Sequence, residues 1–383
     1  MTNPNFPFDA VIFDLDGTLV ATDLFWPDAA RLGARRAFRE LGLERELPSR
    51  EDWMGMVGHP IEEAFARVFA DLEDGPRARV LELCLEEEHS ALRAGRAALL
   101  PGAREALEDL SARGVHLGIA SNCGREYLAS MVQGLGLDRW IREPRCLDSP
   151  GIADKADMIQ DLLWTFDVRS AVMVGDRISD RDAAWANGLP HVHLARGFAA
   201  PGEVARCEGA IDGLDELIPR LLGRWSWLEG IARRLPLDGL GVLAIAGRPA
   251  SGKTLFARDL ARRVEAAGRP VRVLEANRDG VEELAAERER LAQKIASRGD
   301  QELILVEGRA LSHPLFAGLA DRTLWLDVPE EVLRRRLAGR DARGAGPDAV
   351  QVAVEGPLAN LSRSPRVAAD LEIPADNALG EVP

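Results

Sequence analysis

Lysine is almost missing from this chain of 383 residues: of 48 basic side chains, only Lys155, Lys253 and Lys294 are lysines. Arginine supplies the positive charge elsewhere and cannot replace lysine where a compact ammonium is needed, so each of the three marks a position to examine. Cysteine is scarce as well. Cys84, Cys123, Cys146 and Cys207 form neither a CxxC pair nor a zinc-ligand spacing, which leaves scattered reduced thiols of a cytoplasmic kind. Cys123 lies beside a candidate site described below and reads as filler, not as a reactive thiol. No apolar run approaches the ~18 residues of a membrane span. The N-terminus has neither the basic start nor the apolar core of a signal peptide. A cytoplasmic protein without a membrane partner is expected. Internal repeats and low-complexity tracts are also missing.

Charge is present but lopsided. The net charge is −14. Residues 1–235 hold 27 basic against 39 acidic side chains, whereas from Pro236 onward the counts are 21 and 23. So acidic a first half is a poor partner for a phosphate backbone, which favours small substrates over DNA or RNA. With 46% apolar and 29% charged residues, the chain can build full cores, and its length suits two or three domains.

Short β-branched runs alternate with helical stretches, the pattern of parallel α/β sheets. The first series is AVIFD (10–14), VHLGIAS (115–121), AVMVGD (171–176) and HVHLA (191–195). The second is GVLAIAG (241–247), VRVLEA (271–276), LILVEG (303–308) and TLWLDV (323–328). Most runs end in a small or acidic residue, where ligands sit in open parallel sheets. The gap from Asp14 to Ser121 far exceeds one crossover helix, and residues 20–98 read as helices, so a helical cap over the strand ends is expected. The stretch 223–239, with Trp225 and Trp227, reads as a linker helix packed through its tryptophans. The expected domains are 1–222, with the cap at about 20–98, and 240–383, with the periodicity fading past Ala338 into a short tail.

Asp14 and Asp16 stand just past the first strand, with Gly17 allowing a sharp turn. One carboxylate can attack phosphorus, and its neighbour can pass a proton to the leaving oxygen and later take one from water. A second acidic cluster, VGDRISDRD, puts Asp176 and Asp180 one helical turn apart, with Asp182 read as solvated. Carboxylates converging in this way imply a hard cation such as Mg²⁺. Ser121, after a third strand, can bind a phosphoryl oxygen, and Lys155 can neutralise phosphoryl charge.

In combination these pieces resemble the haloacid dehalogenase (HAD) superfamily, in the phosphatase branch with a helical cap between the first two motifs. FDLDGTL resembles its first motif, IASN its second, Lys155 its third and VGDRISDRDAAWANG its fourth, over about residues 8–222. LLPGAREALEDLSARG resembles the helix that leads into the second motif. The resemblance implies a Rossmann-like core with an inserted cap. It implies Asp14 as nucleophile, Asp16 as general acid and base, and Ser121 and Lys155 as holders of the phosphoryl group. Mg²⁺ would be ligated by Asp14, Asp176 and the Asp16 carbonyl, supported by Asp180. The third motif departs from the common Gly-Lys-Pro, reading ADKAD here. Dehalogenases lack the second aspartate, and phosphonate-cleaving relatives use a cap lysine, which residues 20–98 do not contain. Hydrolysis of a small phosphomonoester is the leading expectation, with a sugar-phosphate mutase as the alternative. The loop MGMVGHP (54–60) is the cap segment expected to enter the site, with His59 as a candidate substrate contact.

GRPASGKT (247–254) fits G-x-x-x-x-G-K-[ST] between a strand and a helix, the context of a phosphate-binding P-loop. Gly247, Ser251, Gly252, Lys253 and Thr254 would cradle the phosphates of ATP or GTP, with Lys253 at the β/γ-phosphates and Thr254 on Mg²⁺. Glu307 ends a further strand as a candidate acid, and Arg334, Arg335, Arg336, Arg340 and Arg343 form a cluster able to close over a polyphosphate. Lys294 reads as a solvated charge. These features resemble P-loop small-molecule kinases of the uridine kinase and nucleoside-monophosphate kinase type over about residues 240–376. Where those kinases carry an aspartate base, this chain offers only Glu275 and Asp279. A bifunctional kinase/phosphatase and an ATP-gated phosphatase with a non-catalytic nucleotide-binding domain are therefore both open.

Overall fold

A computed structural model describes residues 6–168, 170–204, 206–235, 237–276, 281–341 and 369–374. The chain divides into two compact units: residues 8–184 with 191–218, and residues 1–7, 185–190 and 219–383. Among the described residues, no helix is long and apolar enough to cross a membrane.

The first unit is built on a six-stranded sheet. Its strands are β1 (Ala10–Phe13), β2 (His116–Ser121), β3 (Glu143–Cys146), β4 (Ala171–Gly175), β5 (His191–Leu194) and β6 (Gly209–Ile211), in the order β3-β2-β1-β4-β5-β6. All pairings are parallel. Every residue of β1 and β4 is buried, as strands covered on both faces require. The order reverses beside β1, whose Phe13 pairs with Ile119 on one side and Val174 on the other. The residues that follow these strands therefore emerge together at the switch point, where ligands of open sheets bind.

Between β1 and β2 lies the cap. Its helices are Trp26–Leu41, Arg50–Met54, Ile61–Val68 and Asp74–Arg93. The second of these begins with a capping box, in which Ser49 and Asp52 bond reciprocally to each other's backbone. Trp26, Trp53, Phe65, Phe69 and Phe38 form a run of tilted and edge-on ring contacts in its centre. The chain enters and leaves side by side, held by Ala21 N–Ala98 O at 2.9 Å and Leu100 N–Leu19 O at 2.8 Å.

The second unit carries β7 (Val242–Gly247), β8 (Val271–Glu275), β9 (Leu303–Glu307), β10 (Arg322–Asp327) and β11 (Leu371–Pro374), all parallel, in the order β11-β10-β7-β9-β8. Leu243 and Ile245 of β7 face one apolar cluster, while Val242, Ala244 and Ala246 face another, so this sheet too is covered on both sides. The helix Leu217–Arg234 delivers Trp227, Leu228 and Ile231 into the first cluster. Within this unit it is a core element whose Arg224 pairs with the buried Asp259 at 2.7 Å. The tail expected at the C-terminus lies outside the described residues.

Gly33 marks the closest approach inside the cap. A Cβ there would meet the Cys84 backbone at 2.4 Å, so the helices Trp26–Leu41 and Asp74–Arg93 can touch only without a side chain. Gly33→Ala is expected to lower stability by about 1–3 kcal/mol despite alanine's better helix propensity. Urea unfolding of the two proteins checks this, and an equal or higher midpoint in the variant would contradict it.

Candidate active site

Three buried carboxylates meet at the carboxyl ends of β1 and β4. Asp14 follows β1, Asp176 follows β4, and Asp180 comes from the first turn of the helix Ile178–Ala186. They offer oxygens within 4.8 Å of one another. Lys155, the first residue of the helix Lys155–Thr165, brings a buried ammonium to them: its Nζ is 2.7 Å from Asp14 Oδ1 and 2.6 Å from Asp180 Oδ1. Asp180 Oδ2 accepts from the Arg177 backbone N–H at 2.8 Å, and Asp176 Oδ2 from that of Phe198 at 2.5 Å. Gly17, at φ +81°, is required here, since a Cβ would come within 2.7 Å of Asp176 Oδ2.

The electrostatics favour a further cation. Burial pushes the Asp14 carboxyl well above its ordinary range; the Lys155 charge opposes this, and Asp180 and Asp176 add to it. Asp176 is pushed up to about 7, by burial first and by Asp180 second. Burial works against the Lys155 ammonium, but Asp14 and Asp180 raise its pKa overall and keep it charged. One ammonium thus faces three acids. Asp14 Oδ2 is buried without a hydrogen-bond partner. Hard carboxylate oxygens converging with one left unsatisfied fit a divalent cation such as Mg²⁺.

Asp16 stands apart from this cluster. Its Oδ1 accepts from Thr22 Oγ1 and from the Tyr127 hydroxyl, each at 2.5 Å. Burial raises its pKa, and these two hydrogen bonds oppose the rise. Ser121 is buried at the end of β2. Asp16 and Ser121 both line a cavity of about 530 Å³ whose other walls come from the cap and from residues after β2 and β3. The loop 54–60 supplies one wall through Met56, Val57, Gly58, His59 and Pro60. That loop is fixed to the core by Arg177, which donates to Val57 O at 3.1 Å and His59 Nε2 at 2.7 Å while pairing with Glu203 at 3.0 Å. Burial, then the Arg177 charge, lowers the His59 pKa. Asn122 adds a bond to Gly58 O at 3.0 Å. Cys123 also lines the cavity, with its thiol pushed well up by burial, so it is a poor nucleophile. Asp182 is half exposed.

Sequence reasoning missed Tyr127, Thr22, Arg177 and Glu88. The first was findable, because it is the chain's single tyrosine. Glu88 also gave a signal, since it continues the buried stripe Val80, Cys84 and Ala91 of its helix.

In the second unit, residues 247–254 bend between β7 and the helix Lys253–Ala266, with Ala250 at φ 60°. Lys253 Nζ folds back onto Gly247 O at 3.0 Å and Arg248 O at 2.8 Å. Thr254 Oγ1 donates to Glu307 Oε1 at 2.9 Å, at the end of the neighbouring β9. Ser251 Oγ is buried without a partner. Arg336 donates to Ala250 O at 3.1 Å, whereas Arg334 and Arg335 pair with Glu330 and Glu331 on their own helix. The Arg340 side chain, Arg343 and Asp279 lie outside the described residues; Glu275 ends β8 and is exposed, as is Lys294.

Residues 11–193 match the haloacid dehalogenase-like hydrolase family. The phosphoglycolate phosphatase of Rhodospirillum rubrum is 31% identical over 230 residues, covering 56% of this chain and 90% of that protein. The plasmid phosphoglycolate phosphatase of Cupriavidus necator is 29% identical, covering 58% of this chain and 96% of that protein. A haloacid dehalogenase-like family hydrolase from Streptococcus pneumoniae, known as a solved structure, aligns with a TM-score of 0.48 at 22% identity, over 56% of this chain and 98% of that one. The chain belongs to the haloacid dehalogenase-like hydrolases.

Lys155 holds the acidic cluster together, so its removal leaves two buried carboxylates without their cation. Lys155→Met is expected to cost about 3–5 kcal/mol of stability in metal-free buffer, with part of the loss recovered by adding Asp180→Asn. Urea unfolding of the single and double variants measures both; equal stability of Lys155→Met and wild type would contradict the arrangement.

Proposed function

We propose that the first unit of this haloacid dehalogenase-like hydrolase is a Mg²⁺-dependent phosphatase that carries the phosphoryl group of a small ester on Asp14. The observation that bears most weight is the unequal setting of two carboxylates at the end of one strand. Asp14 contacts an ammonium and the acidic cluster; Asp16 contacts two neutral hydroxyls and the substrate-sized cavity. Environments that differ in this way separate a nucleophile from an acid.

In the first step an Asp14 oxygen forms a bond to phosphorus as the ester's P–O bond breaks. Burial raises the pKa of Asp16 and so favours the protonated form that gives a proton to the departing alkoxide. Asp16 then takes a proton from water as that water attacks phosphorus. Phosphate leaves and the Asp14 carboxylate is restored. Ser121 and Lys155 hold phosphoryl oxygens throughout. Asp14, Asp176 and the Asp16 carbonyl, with Asp180 behind them, would hold Mg²⁺, which supplies positive charge against the phosphoryl oxygens. The cap shelters this exchange from bulk solvent while leaving room for the attacking water, and restricts entry to small esters. The names of the relatives make 2-phosphoglycolate the first ester to assay.

We infer that the second unit binds a Mg-nucleoside triphosphate at residues 247–254, in a P-loop domain of kinase type within residues 240–383. The loop follows β7, which lies between β9 and β10 at the point where that sheet reverses order. A phosphate accepted there meets backbone N–H groups, the N-terminus of the helix Lys253–Ala266 and the Lys253 ammonium. The bond from Thr254 to Glu307 orients a hydroxyl and an acid toward a shared cation. Binding of ATP or GTP is compatible with an active small-molecule kinase and with a gating module.

Asp14→Asn is expected to abolish turnover while leaving the fold intact, because the amide keeps the shape and loses the nucleophile. A phosphatase screen with far-ultraviolet circular dichroism as the folding check decides it, and full turnover by the folded variant, or full wild-type turnover in excess EDTA, would overturn the mechanism. At the other site, Lys253→Ala should weaken Mg-nucleotide binding roughly 10- to 150-fold, from the loss of a charge-assisted contact. Calorimetric titration with Mg-ATP and Mg-GTP tests this; no binding by the wild type at millimolar nucleotide would remove the assignment.

A further inference from the structure

Glu88 is a buried acid that the phosphatase chemistry does not use. It comes from the cap helix Asp74–Arg93, is 6% exposed and lines the cavity that also reaches Asp16 and Ser121. No hydrogen bond or ion pair engages its carboxyl among the described residues. Its neighbours in sequence behave differently, since Glu86 and Glu87 both pair with Arg36 at the surface. An unpaired buried carboxyl weakens a fold, so its presence points to a ligand and not to packing.

The rest of the cavity says which ligand. Asp16, Glu62, Glu126 and Asp148 also line it, so acids outnumber its basic side chains, His59, His89 and Arg125. Lys155, the nearest buried ammonium, is committed to Asp14 and Asp180. Arg125 is an exposed residue of the lining, and its guanidinium bonds to the Asp148 carbonyl. His89, the neighbour of Glu88, faces Glu126 at 4.0 Å. A substrate carboxylate reaching Glu88 would add a charge to a buried acidic wall that has no uncommitted buried cation. A hydroxyl or an ammonium would instead give Glu88 the partner it lacks. Burial, and then the Asp16 charge, push the Glu88 carboxyl up to about 8, so at neutral pH it can both donate to and accept from a hydroxyl, while an ammonium would hold it ionised.

We propose that Glu88 determines specificity by binding the alcohol half of the ester: the site takes phosphomonoesters whose alcohol carries a hydroxyl or ammonium donor and discriminates against those carrying a carboxylate. This rests on the phosphatase reading of the same site. It separates this chain from what the relatives' names describe, because phosphoglycolate carries a carboxylate on the carbon skeleton that Glu88 faces.

The test compares four two-carbon esters of nearly equal size: 2-hydroxyethyl phosphate, 2-aminoethyl phosphate, 2-phosphoglycolate and ethyl phosphate. For the wild type, kcat/KM for the better of the two donor esters should exceed that for 2-phosphoglycolate by about 10- to 100-fold, the worth of one buried polar contact made or left unpaired. Glu88→Gln keeps the shape and a hydrogen-bonding group, removes the acid, and should shrink that ratio at least about fivefold. Loss of the ammonium ester alone in the variant would assign the site to amines; retention of both donor esters over the carboxylate at a reduced ratio would assign it to hydroxyls. Preference of the wild type for 2-phosphoglycolate, or an unchanged ratio in Glu88→Gln, would overturn the inference. Ethyl phosphate separates the two levels of the argument, since its hydrolysis needs only the phosphatase chemistry. If none of the four esters is hydrolysed by the folded wild type, the phosphatase reading falls and this inference with it.

Discussion

A single ammonium makes the acidic cluster at the carboxyl end of the first sheet possible. Lys155 Nζ lies within 2.7 Å of both Asp14 and Asp180, all three groups being almost fully buried. Carboxylates packed this closely in a poorly polarisable interior repel one another strongly, and the fold can hold them charged only by supplying positive charge among them. The parallel sheet brings the acids together at its switch point, the helix Lys155–Thr165 starts where its first residue can reach them, and the remaining deficit is the part a divalent cation can fill. In a chain that otherwise uses arginine, a compact ammonium occupies this position, bonded to two carboxylates from different elements.

Placement of the cap follows from the same economy of contacts. Its entry and exit strands run together, its interior is a set of packed aromatic rings, and Arg177 ties its loop to the residue next to a cluster acid. The cap therefore does two things at once. It closes the cavity over Asp16 and Ser121, and through Glu88 it brings an acid into the space where the alcohol half of a substrate would lie. On the proposed reading, chemistry at phosphorus would depend on the sheet and discrimination among alcohols on the cap.

Much of this was legible in the residues. Eight strands announce themselves as short β-branched runs, and Asp14 and Asp176 stand immediately after two of them. The strands that escaped notice are all at sheet edges: β3 (EPRC), β6 (three residues) and β11. An edge strand needs neither a continuous apolar run nor, on its open side, a backbone donor, which is why Pro144 is tolerated in β3. The partners of Asp16 and Arg177 were harder to find because they are set by how the cap lies on the core. Thr22 and Tyr127 meet one carboxylate from positions 105 residues apart, and nothing local in either segment encodes that meeting. Glu88 sits in a run of three glutamates, and only the buried stripe of its helix separates it from its two solvated neighbours. In the second unit the bend at 247–254 between a strand and a helix was legible from the glycines that flank it.

The central claim is that the phosphoryl group passes to Asp14 before it passes to water. The stereochemical course at phosphorus tests this directly, using an ester whose phosphoryl group is made chiral with sulfur and oxygen isotopes. Two successive in-line displacements, one by Asp14 and one by water, predict retention of configuration in the product, whether or not the intermediate accumulates. Inversion would mean that water attacks the ester in a single step and would contradict the account.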